Sequence, residues 1–288
     1  MQKQRELSPF YTSTQLSDVR RVLPELFRSR QLLLDLIWKE MRVRYRYALL
    51  GFFWAVLEPL FMMLVLTFVF SVVFQTHVEA HGIESGKEYA VFVLVGLVAW
   101  QFLSIALPRA TRSLVDNRGL VTKVYFPREN IPLASVGIAL VQTFIGGILL
   151  LMVYRILLGH FPGPATLLLF PVFCIQILLV VGLGLLLSSL NAWFRDVSYM
   201  VDAGILFGFY ATPIFYPLEW VSEAVPRLHT LYLANPMAGL ITAYRQILFE
   251  QRVPDLALLL WPGCCAVIAI ITGVVVFRKN APYLADKL

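Results

Sequence analysis

Long apolar runs recur along the whole of this 288-residue chain, and they constrain its fold more than any other feature. A run of about 18 apolar residues, wound as a helix, is long enough to cross the hydrocarbon core of a bilayer. Only 15% of the residues are charged, whereas a soluble domain carries about 25%. The mean hydropathy of +0.73 agrees, so a soluble protein with a polar shell is excluded. The sequence predicts an all-α integral membrane protein.

Six candidate spans account for these runs when the chain is scanned with a window of about 19 residues. They are residues 51–75, 89–108, 131–157, 165–190, 199–218 and 256–277. Pro213 and Pro217 interrupt the fifth span, and the stretch that follows it, residues 219–255, is only partly apolar. An even number of spans places both termini on the same side of the membrane.

The positions of the basic residues predict the orientation. Nineteen of the 24 Lys and Arg residues lie before residue 51, within 109–130, within 191–200 or after residue 277. Because positively charged loops are retained in the cytosol, we expect both termini and the 109–130 loop to be cytosolic, in a multi-pass protein of the inner membrane. The net charge of +6 is then a topology signal, and we expect no nucleic-acid partner.

Residues 20–46 are predicted to form an amphipathic helix before the first span. Basic residues largely oppose an apolar side that consists of Leu23, Leu26, Phe27, Leu33, Leu34, Ile37 and Met41. We expect this helix to lie along the cytosolic interface, either as an anchor alone or also as a brace for a cytosolic partner. The chain then divides into a cytosolic N-terminus with this helix (1–50), a six-helix transmembrane domain (51–277) and a cytosolic tail (278–288).

No catalytic, metal or nucleotide motif stands out. Residues 82–88, Gly-Ile-Glu-Ser-Gly-Lys-Glu, are one residue too short between the glycines for a phosphate loop and lack its Ser or Thr. His77 and His81 are four apart, but the nearby glutamates are wrongly placed for a zinc protease motif, and a solvated loop is the simpler interpretation. The three Cys residues lie in apolar runs and predict neither a disulfide nor a metal site. We therefore expect no cofactor on this chain.

Glu58 is the most unusual ionisable residue, because it lies about two turns into the first span and directly before Pro59. A charge at that depth is costly unless it is paired or hydrated. Glu58 is either protonated or paired near the cytosolic interface, or it lines a polar path or a seam between subunits. Gly204 and Gly208, four apart in the fifth span, allow close helix packing within the chain or across a dimer seam.

Four segments carry a more specific signal. Residues 36–59 run from the amphipathic helix through Gly51 and Trp54 to Glu58-Pro59, and residues 120–134 read Leu-Val-Thr-Lys-Val-Tyr-Phe-Pro-Arg-Glu-Asn-Ile-Pro-Leu-Ala. Residues 191–196 read Asn-Ala-Trp-Phe-Arg-Asp, and residues 233–239 read Leu-Ala-Asn-Pro-Met-Ala-Gly, followed by Tyr244-Arg245. In this order, over residues 30–280, they resemble the membrane subunits of type-2 ABC exporters of polysaccharides, the O-antigen, capsule and teichoic acid permeases.

The resemblance implies a non-catalytic half-channel that forms a homodimer, binds two copies of a cytosolic ABC ATPase and exports a lipid-linked polysaccharide between the protomers. ATP and Mg²⁺ would bind to the ATPase. The 109–130 loop would contain the coupling helix, with Leu114, Val115, Leu120 and Val121 as apolar contacts. The predicted coupling residues are Leu120, Lys123, Tyr125, Phe126, Pro127 and Arg128. Residues 219–255 would form external gate helices that re-enter the membrane without crossing it, with gate residues Asn235, Pro236, Tyr244 and Arg245.

Aromatic side chains suit a glycan path, because they contact the C–H faces of sugars while forming few fixed hydrogen bonds. Trp54, Phe61 and Phe68 are spaced by seven and share one helical stripe with Glu58. Further aromatic residues cluster toward the external end of the fifth span. The predicted path residues are Trp54, Glu58, Phe61, Phe68, Phe207, Tyr210, Phe215 and Tyr216. For any one ring, an ordinary lipid-facing or core position is the alternative.

Two other classes of function compete with the exporter. A membrane enzyme of lipid-linked glycan assembly, such as a glycosyltransferase or ligase, needs ionisable residues gathered at one interface, whereas the acidic residues here are scattered. A proton-coupled carrier needs ionisable residues in several spans, and only Glu58 and Asp202 qualify. The sequence therefore favours the exporter.

Overall fold

The computed structural model describes residues 22–45, 53–69, 86–123, 126–224, 230 and 232–288, and every regular element in these ranges is a helix. The helices are α1 (Val22–Arg28), α2 (Arg30–Tyr45), α3 (Trp54–Thr67), α4 (Gly86–Asp116), α5 (Arg118–Lys123), α6 (Asn130–Leu158), α7 (Leu169–Trp193), α8 (Asp196–Ala211), α9 (Leu218–Ala224), α10 (Pro236–Leu248), α11 (Leu256–Asn280) and α12 (Leu284–Lys287). Short 3-10 turns at Pro164–Leu168 and Ala281–Tyr283 lead into α7 and α12. The predicted all-α class is confirmed.

Four of the described helices are long and apolar enough to cross a bilayer: α4, α6, α11, and α7 with the 3-10 turn before it. α4, α6, α7 and α11 match the predicted second, third, fourth and sixth spans respectively. In α4, 83% of the most apolar 18-residue window is buried, against 22–39% in the other three. α4 is therefore the central helix of the bundle, and the other three expose more of their outer sides.

The predicted first and fifth spans correspond to shorter helices. α8 has 16 residues, which at about 1.5 Å per residue falls short of the roughly 30 Å of hydrocarbon, and the described part of α3 has 14. Residues 70–75 of the predicted first span lie outside the described residues. α8 ends at Ala211, because Thr212 is extended and precedes Pro213. The helix of the fifth span therefore ends before residue 218, the predicted boundary.

The contact between α7 and α11 is made by glycines. A Cβ added to Gly182 would lie 2.3 Å from the carbonyl carbon of Ala269, and one added to Gly273 would lie 2.2 Å from the carbonyl oxygen of Gly182. No side chain fits at either position, so the two backbones touch, as membrane helices do at small residues.

One end of the bundle carries the basic residues of the predicted cytosolic side, and we call it the basic end. There α4, α6, α7 and α11 reach Asp116, Asn130, Trp193 and Asn280 respectively. A second, smaller apolar core closes this end, with Leu114, Val121, Phe277 and Leu284 buried within it. The C-terminal helix α12 therefore packs against α5 on the side of this core.

The predicted amphipathic helix is divided at Ser29 into α1 and α2, and residues 20, 21 and 46 lie outside the described residues. Its apolar side is shared between two environments. Leu36 is buried, and Ile37 lies against Gly137 of α6. Leu34 and Trp38 remain exposed. Part of this apolar side therefore packs on α6 and only the rest is available to a membrane surface.

Candidate functional site

One side of the central helix α4 is covered by only two described helices, α3 and α8, and these carry most of the predicted path residues. α8, all of whose residues are described, has no buried residue. In α3, Pro59 and Met63 are the buried residues among the side chains that are described. We call the exposed side chains of α3 and α8 the open face. It is the candidate functional site.

α3 and the turn directly after it present a stripe of aromatic residues on the open face. Trp54, Phe61 and Phe68 are all exposed, with exposed fractions between 49% and 58%. Glu58 is exposed as well and lies one turn from Trp54. Their common exposure agrees with the stripe that the seven-residue spacing predicts, while their role stays a prediction.

A groove of about 350 Å³ runs between α3 and α8, with α4 as its floor. It brings Glu58 of α3 together with Asp202 and Tyr210 of α8, which the sequence places in two separate spans. The polar and aromatic residues that line the groove are Glu58, Trp100, Gln101, Ser104, Asp202, Phe209 and Tyr210. Carboxylate, amide and hydroxyl groups of this kind form hydrogen bonds with the hydroxyl groups of a sugar.

Gln101, Ser104 and Arg112 are candidates that the sequence reasoning missed. Each is a polar residue within the long helix α4, although only Arg112 is ionisable as Glu58 is. Arg112 forms an ion pair with Asp202, and both side chains are about two-fifths exposed. The Oε1 atom of Gln101 is buried and has no hydrogen-bond partner in the described part of the chain. The floor of the groove therefore carries two polar side chains beside apolar ones, and an ion pair joins α4 to α8.

A cluster of aromatic rings lies where α8 ends, away from the basic end. Successive ring centroids are 5.0–6.4 Å apart along the series Phe209, Tyr210, Phe215, Tyr216 and Tyr232. The Tyr216 hydroxyl donates a hydrogen bond to the Tyr210 carbonyl oxygen over 2.8 Å. Phe207 is 75% exposed and forms no ring contact with the other described aromatic residues. Three of the four predicted path residues in this region therefore cluster, and Phe207 stands apart.

The two glycines of α8 have different surroundings. A Cβ on Gly208 would lie 2.7 Å from the Trp100 ring, so this glycine allows α8 to approach α4. Gly204 has nothing within 4 Å of its added Cβ and faces open space. Gly208 thus serves packing within the chain, while Gly204 borders a second pocket between α4, α7 and α8.

The predicted gate residues Asn235 and Pro236 begin helix α10. The Asn235 side chain accepts a hydrogen bond from the Met237 N–H over 3.0 Å and donates one to the Thr212 hydroxyl over 2.8 Å. Pro236 occupies the first turn, where its missing N–H has no helical partner to lose. α10 has 13 residues, about 20 Å at 1.5 Å per residue, and its residues from 237 to 248 are all buried.

Tyr244 and Arg245 lie inside the protein, where their hydrogen bonds join α10 to neighbouring segments. The Tyr244 hydroxyl donates to Gln176 Oε1 over 2.8 Å, and Gln176 Nε2 donates to the Ala99 carbonyl oxygen over 2.7 Å. This chain of hydrogen bonds joins α10 to α7 and α4. Such polar groups within an apolar bundle are stable only when they are paired in this way.

The Arg245 guanidinium holds the segment that follows α8. It donates to the carbonyl oxygens of Pro213 and Ile214 over 2.7 and 2.5 Å. Its central carbon lies 3.4 Å from the centre of the Phe92 ring, which is a cation–π contact. A Cβ on Gly96 would lie 2.6 Å from the Ile214 carbonyl oxygen, so a glycine is required there. Arg245 therefore fixes the aromatic cluster on α4.

The predicted coupling residues lie on and after α5 at the basic end. Lys123 is exposed, whereas Leu120 and Phe126 pack partly against the second core. Pro127 is half-buried, and Arg128 donates a hydrogen bond to the Ala281 carbonyl oxygen. Tyr125 lies outside the described residues.

Two of the apolar contacts expected on this loop are already used within the chain. Leu114 and Val121 have exposed fractions of 0% and 3% because they pack in the second core with Phe277 and Leu284. They cannot contact a partner in this conformation, so that part of the prediction is wrong. The residues of α5 that face solvent are Arg118, Gly119, Thr122 and Lys123.

Within the described part of the chain, no group of three His, Cys, Asp or Glu residues could hold a metal ion. His77, His81 and the glycine-rich stretch at 82–85 lie outside the described residues.

The matched family model supplies the decisive comparison. The model for ABC-2 type transporters matches residues 31–249, which include α3, α4, α8 and α10. The chain belongs to the ABC-2 type transporter family. The predicted resemblance is confirmed, and the family is one of transport proteins rather than enzymes.

Three relatives show which members of the family the chain is similar to. The O-antigen export system permease protein RfbA of Myxococcus xanthus is 30% identical over 268 residues, which cover 93% of this chain and 99% of that protein. The RfbA protein of Klebsiella pneumoniae is 28% identical over 84% of this chain and 88% of its own. The polysialic acid transport protein KpsM of Escherichia coli is 23% identical over 85% and 92%.

Proposed function

We propose that this ABC-2 family member is the permease subunit of an exporter that moves a lipid-linked polysaccharide of the O-antigen class across the inner membrane. The observation that carries the proposal is the likeness to the Myxococcus O-antigen permease, which extends over nearly the whole of both chains. The likeness to the polysialic acid transporter is weaker, at 23% identity. O-antigen is therefore preferred to capsule as the substrate class.

In this proposal the chain crosses the membrane six times, with both termini in the cytosol. α3 and α8 belong to the first and fifth spans, and the basic end faces the cytosol. The charge distribution supports this orientation, because 19 of the 24 basic residues belong to that side. α10 is too short to cross and enters the bundle from the external side as a re-entrant gate helix.

Two copies of the chain form the conduit, and the open face lies between them. One set of spans is too small to enclose a bulky glycan, and α3 and α8 leave large apolar side chains such as Phe61 and Phe207 unburied. The groove supplies hydroxyl-binding groups beside aromatic rings, which suits a sugar chain that must slide without binding tightly at any point.

Two cytosolic ABC ATPase subunits supply the energy, with ATP and Mg²⁺ bound on them. They dock on the basic end through the exposed side of α5, where Arg118 and Lys123 are available. Two of the other predicted coupling residues, Leu120 and Phe126, pack against the second core and hold α5 in place.

Reconstitution in proteoliposomes tests the function. The chain with its ATPase is expected to move a lipid-linked O-polysaccharide to the opposite leaflet only when ATP is present, and the purified chain alone is expected to hydrolyse no ATP. ATP turnover by the isolated chain, or transfer of sugar residues between lipid-linked donors, would instead support a membrane enzyme.

The docking surface is tested by the double charge reversal Arg118→Glu with Lys123→Glu. Both side chains are exposed and both belong to α5, so the fold is expected to survive while co-purification of the ATPase is reduced. Lys87→Glu, an exposed residue at the other end of α4, is the matched control and should co-purify normally. Undiminished binding in the double variant would contradict the assignment. Arg128 is less suitable for this test, because it also contacts Ala281.

A further inference from the structure

Three segments that are far apart in the chain meet on one buried arginine at the basic end. Arg278, near the end of α11, has an exposed fraction of 2%. Its Nη2 atom lies 2.7 Å from Oε2 of Glu25 in α1. Its Nε atom forms an ion pair with Oε1 of Glu129, the residue directly before α6. Both glutamates are also buried. We call Glu25, Glu129 and Arg278 the Arg278 cluster.

Neighbouring hydrogen bonds join the same segments a second time. The Asn130 side chain donates to the Ser29 hydroxyl over 2.9 Å, which links the start of α6 to the end of α1. Arg128 donates to the Ala281 carbonyl oxygen just beyond α11. Each of the three segments is thus bonded directly to the other two. A triangle of this kind cannot shear without breaking a contact.

Stability alone does not account for an ionic cluster in this place. Buried ion pairs often contribute no more to stability than well-packed apolar residues of similar volume, because the desolvation of the charges offsets their attraction. The hydrogen bonds of Arg278 to Glu25, Arg128 to Ala281 and Asn130 to Ser29 do define one relative position of the segments, which apolar packing defines less sharply. The cluster is therefore best understood through the parts that it holds in register.

Those parts are the predicted coupling segment and the helices that lead to the open face. Glu129 directly follows the coupling residues 126–128. Glu25 lies in α1, which continues into α2, and α2 is separated from α3 by eight residues of chain. α2 also packs along α6. The cluster thus stands between the surface where an ATPase would push and the helix that carries the aromatic stripe.

We propose that Glu25, Glu129 and Arg278 are positioning residues that make the coupling segment, the N-terminal helices and the end of α11 move as one unit, so that displacement by the ATPase reaches α3. The proposal rests on the proposed function, since it needs an ATPase and a transported glycan. It assigns the cluster a role in efficiency of coupling, and none in ATP binding or in contact with the glycan.

The main test measures glycan exported per ATP hydrolysed in proteoliposomes. Arg278→Met removes the shared partner but leaves two buried carboxyl groups, so the triple variant Glu25→Gln, Glu129→Gln, Arg278→Met provides a neutral cluster of similar volume. In both we expect the ATPase to bind and to hydrolyse ATP, while export per ATP falls about fivefold or more. Arg278→Lys, which keeps the charge, should recover part of this ratio.

Lys279→Met is the matched control, because Lys279 is the next residue of α11 and is exposed. It should leave the ratio at the wild-type value. A wild-type ratio in the triple variant would overturn the proposal, and so would a loss of folded protein with an unchanged ratio per folded molecule. If wild-type protein itself shows no ATP-driven export, the proposed function fails, which is a distinguishable result.

A second measurement does not depend on a variant of the cluster. Spin labels on the exposed residues Arg28 of α1 and Lys279 of α11 report the distance between two of the three segments that the Arg278 cluster joins. In the complex with its ATPase we expect the same distance distribution with and without bound ATP. A change in that distribution during the ATP cycle would show that the segments move separately and would overturn the proposal.

Discussion

The two sides of α4 differ in how completely one chain fills them. On one side α7 and α11 meet at Gly182 and Gly273 with their backbones in contact, and α10 is buried along its length. On the other side α8 buries no residue, and a groove separates it from α3. The side chains of the packed side are buried by other helices of the same chain. On the open face, apolar rings and polar groups remain exposed.

This contrast predicts which side of the molecule maintains the fold and which side contacts the transported chain. In a bilayer, lipid covers apolar side chains, but it does not satisfy the exposed carboxyl group of Glu58 in the groove. That group requires water, a sugar chain or a second copy of the protein. The packed side should therefore respond to substitution through stability, and the open face through transport.

The largest expected effect comes from a methyl group added between α7 and α11. Gly182→Ala would place a Cβ 2.3 Å from the backbone of Ala269, so one helix must shift along much of its length. We expect a loss of about 1–3 kcal/mol or more, and little folded protein. Gly204→Ala, in open space on α8, should fold normally and gain about 1 kcal/mol of helix propensity. Expression and thermal unfolding in detergent provide the comparison, and equal behaviour of the two variants would break it.

Replacing an aromatic residue by alanine should mainly change export on the open face and mainly change stability on the packed side. Phe61→Ala on the open face is expected to change stability by less than about 0.5 kcal/mol, while buried Phe102→Ala loses about 3–5 kcal/mol. If one ring contact with the glycan is worth about 0.5–1.5 kcal/mol, Phe61→Ala should alter export or leak by about two- to tenfold.

Trp54→Ala and Tyr210→Ala extend this test along the open face, and Tyr216→Ala extends it to the half-buried ring that follows α8. Phe144→Ala on α6 is the control for export, because Phe144 is also exposed but lines a different pocket, between α4, α6 and α7. Normal export in Phe61→Ala and in these three variants would show that the rings do not line the path.

A smaller effect is expected from the buried hydrogen bonds of α10. Tyr244→Phe removes the donor to Gln176 Oε1 and leaves that atom unsatisfied in the packed side. The expected loss of stability is about 1–3 kcal/mol. Tyr210→Phe removes a hydroxyl from an exposed ring and should change stability by less than about 0.5 kcal/mol. The thermal midpoints of the two variants measure the difference, and a shift of the same size in both would argue against it.

The smallest effect is a pH dependence at the basic end. Burial raises the pKa of Glu129 above its ordinary value, while the Arg278 guanidinium opposes the rise, with Glu25 and Arg128 also close. A carboxyl group whose pKa is higher in the folded state contributes stability below its unfolded pKa of about 4.3, and loses it as the pH rises through the folded value. Wild-type protein should therefore lose stability with rising pH more steeply than Glu129→Gln. Parallel pH profiles of the two thermal midpoints would contradict this.

The sequence predicts the fold well where one physical signal dominates. Apolar length and composition identified the four helices that can cross a membrane, because a bilayer imposes a minimum length. The same signal fails for α8, whose end depends on the extended Thr212 before Pro213. The seven-residue spacing places Trp54, Phe61 and Phe68 on one stripe, but Met62, Leu64 and Val65 are exposed as well, so their role in a path stays a prediction.

Contacts between distant segments could not be predicted from one sequence. Nothing near Arg278 in the chain indicates that Glu25 is its partner, 253 residues away. Leu114 and Val121 were assigned to a partner protein because they are apolar beside basic residues, yet the C-terminal helix covers them. Gln101 and Ser104 give a weaker sequence signal than Glu58, because an uncharged polar side chain in a span is less costly than a charge.

The central claim is that a second copy of the chain covers the open face. Single-cysteine variants, with Cys174, Cys264 and Cys265 replaced, test it directly by bifunctional cross-linking in native membranes. Phe61→Cys on α3 and Phe207→Cys on α8 should give a product of twice the 32.7 kDa chain, while Phe144→Cys on α6 should remain a monomer. A dimer band from Phe144→Cys alone would place the interface elsewhere and contradict the account.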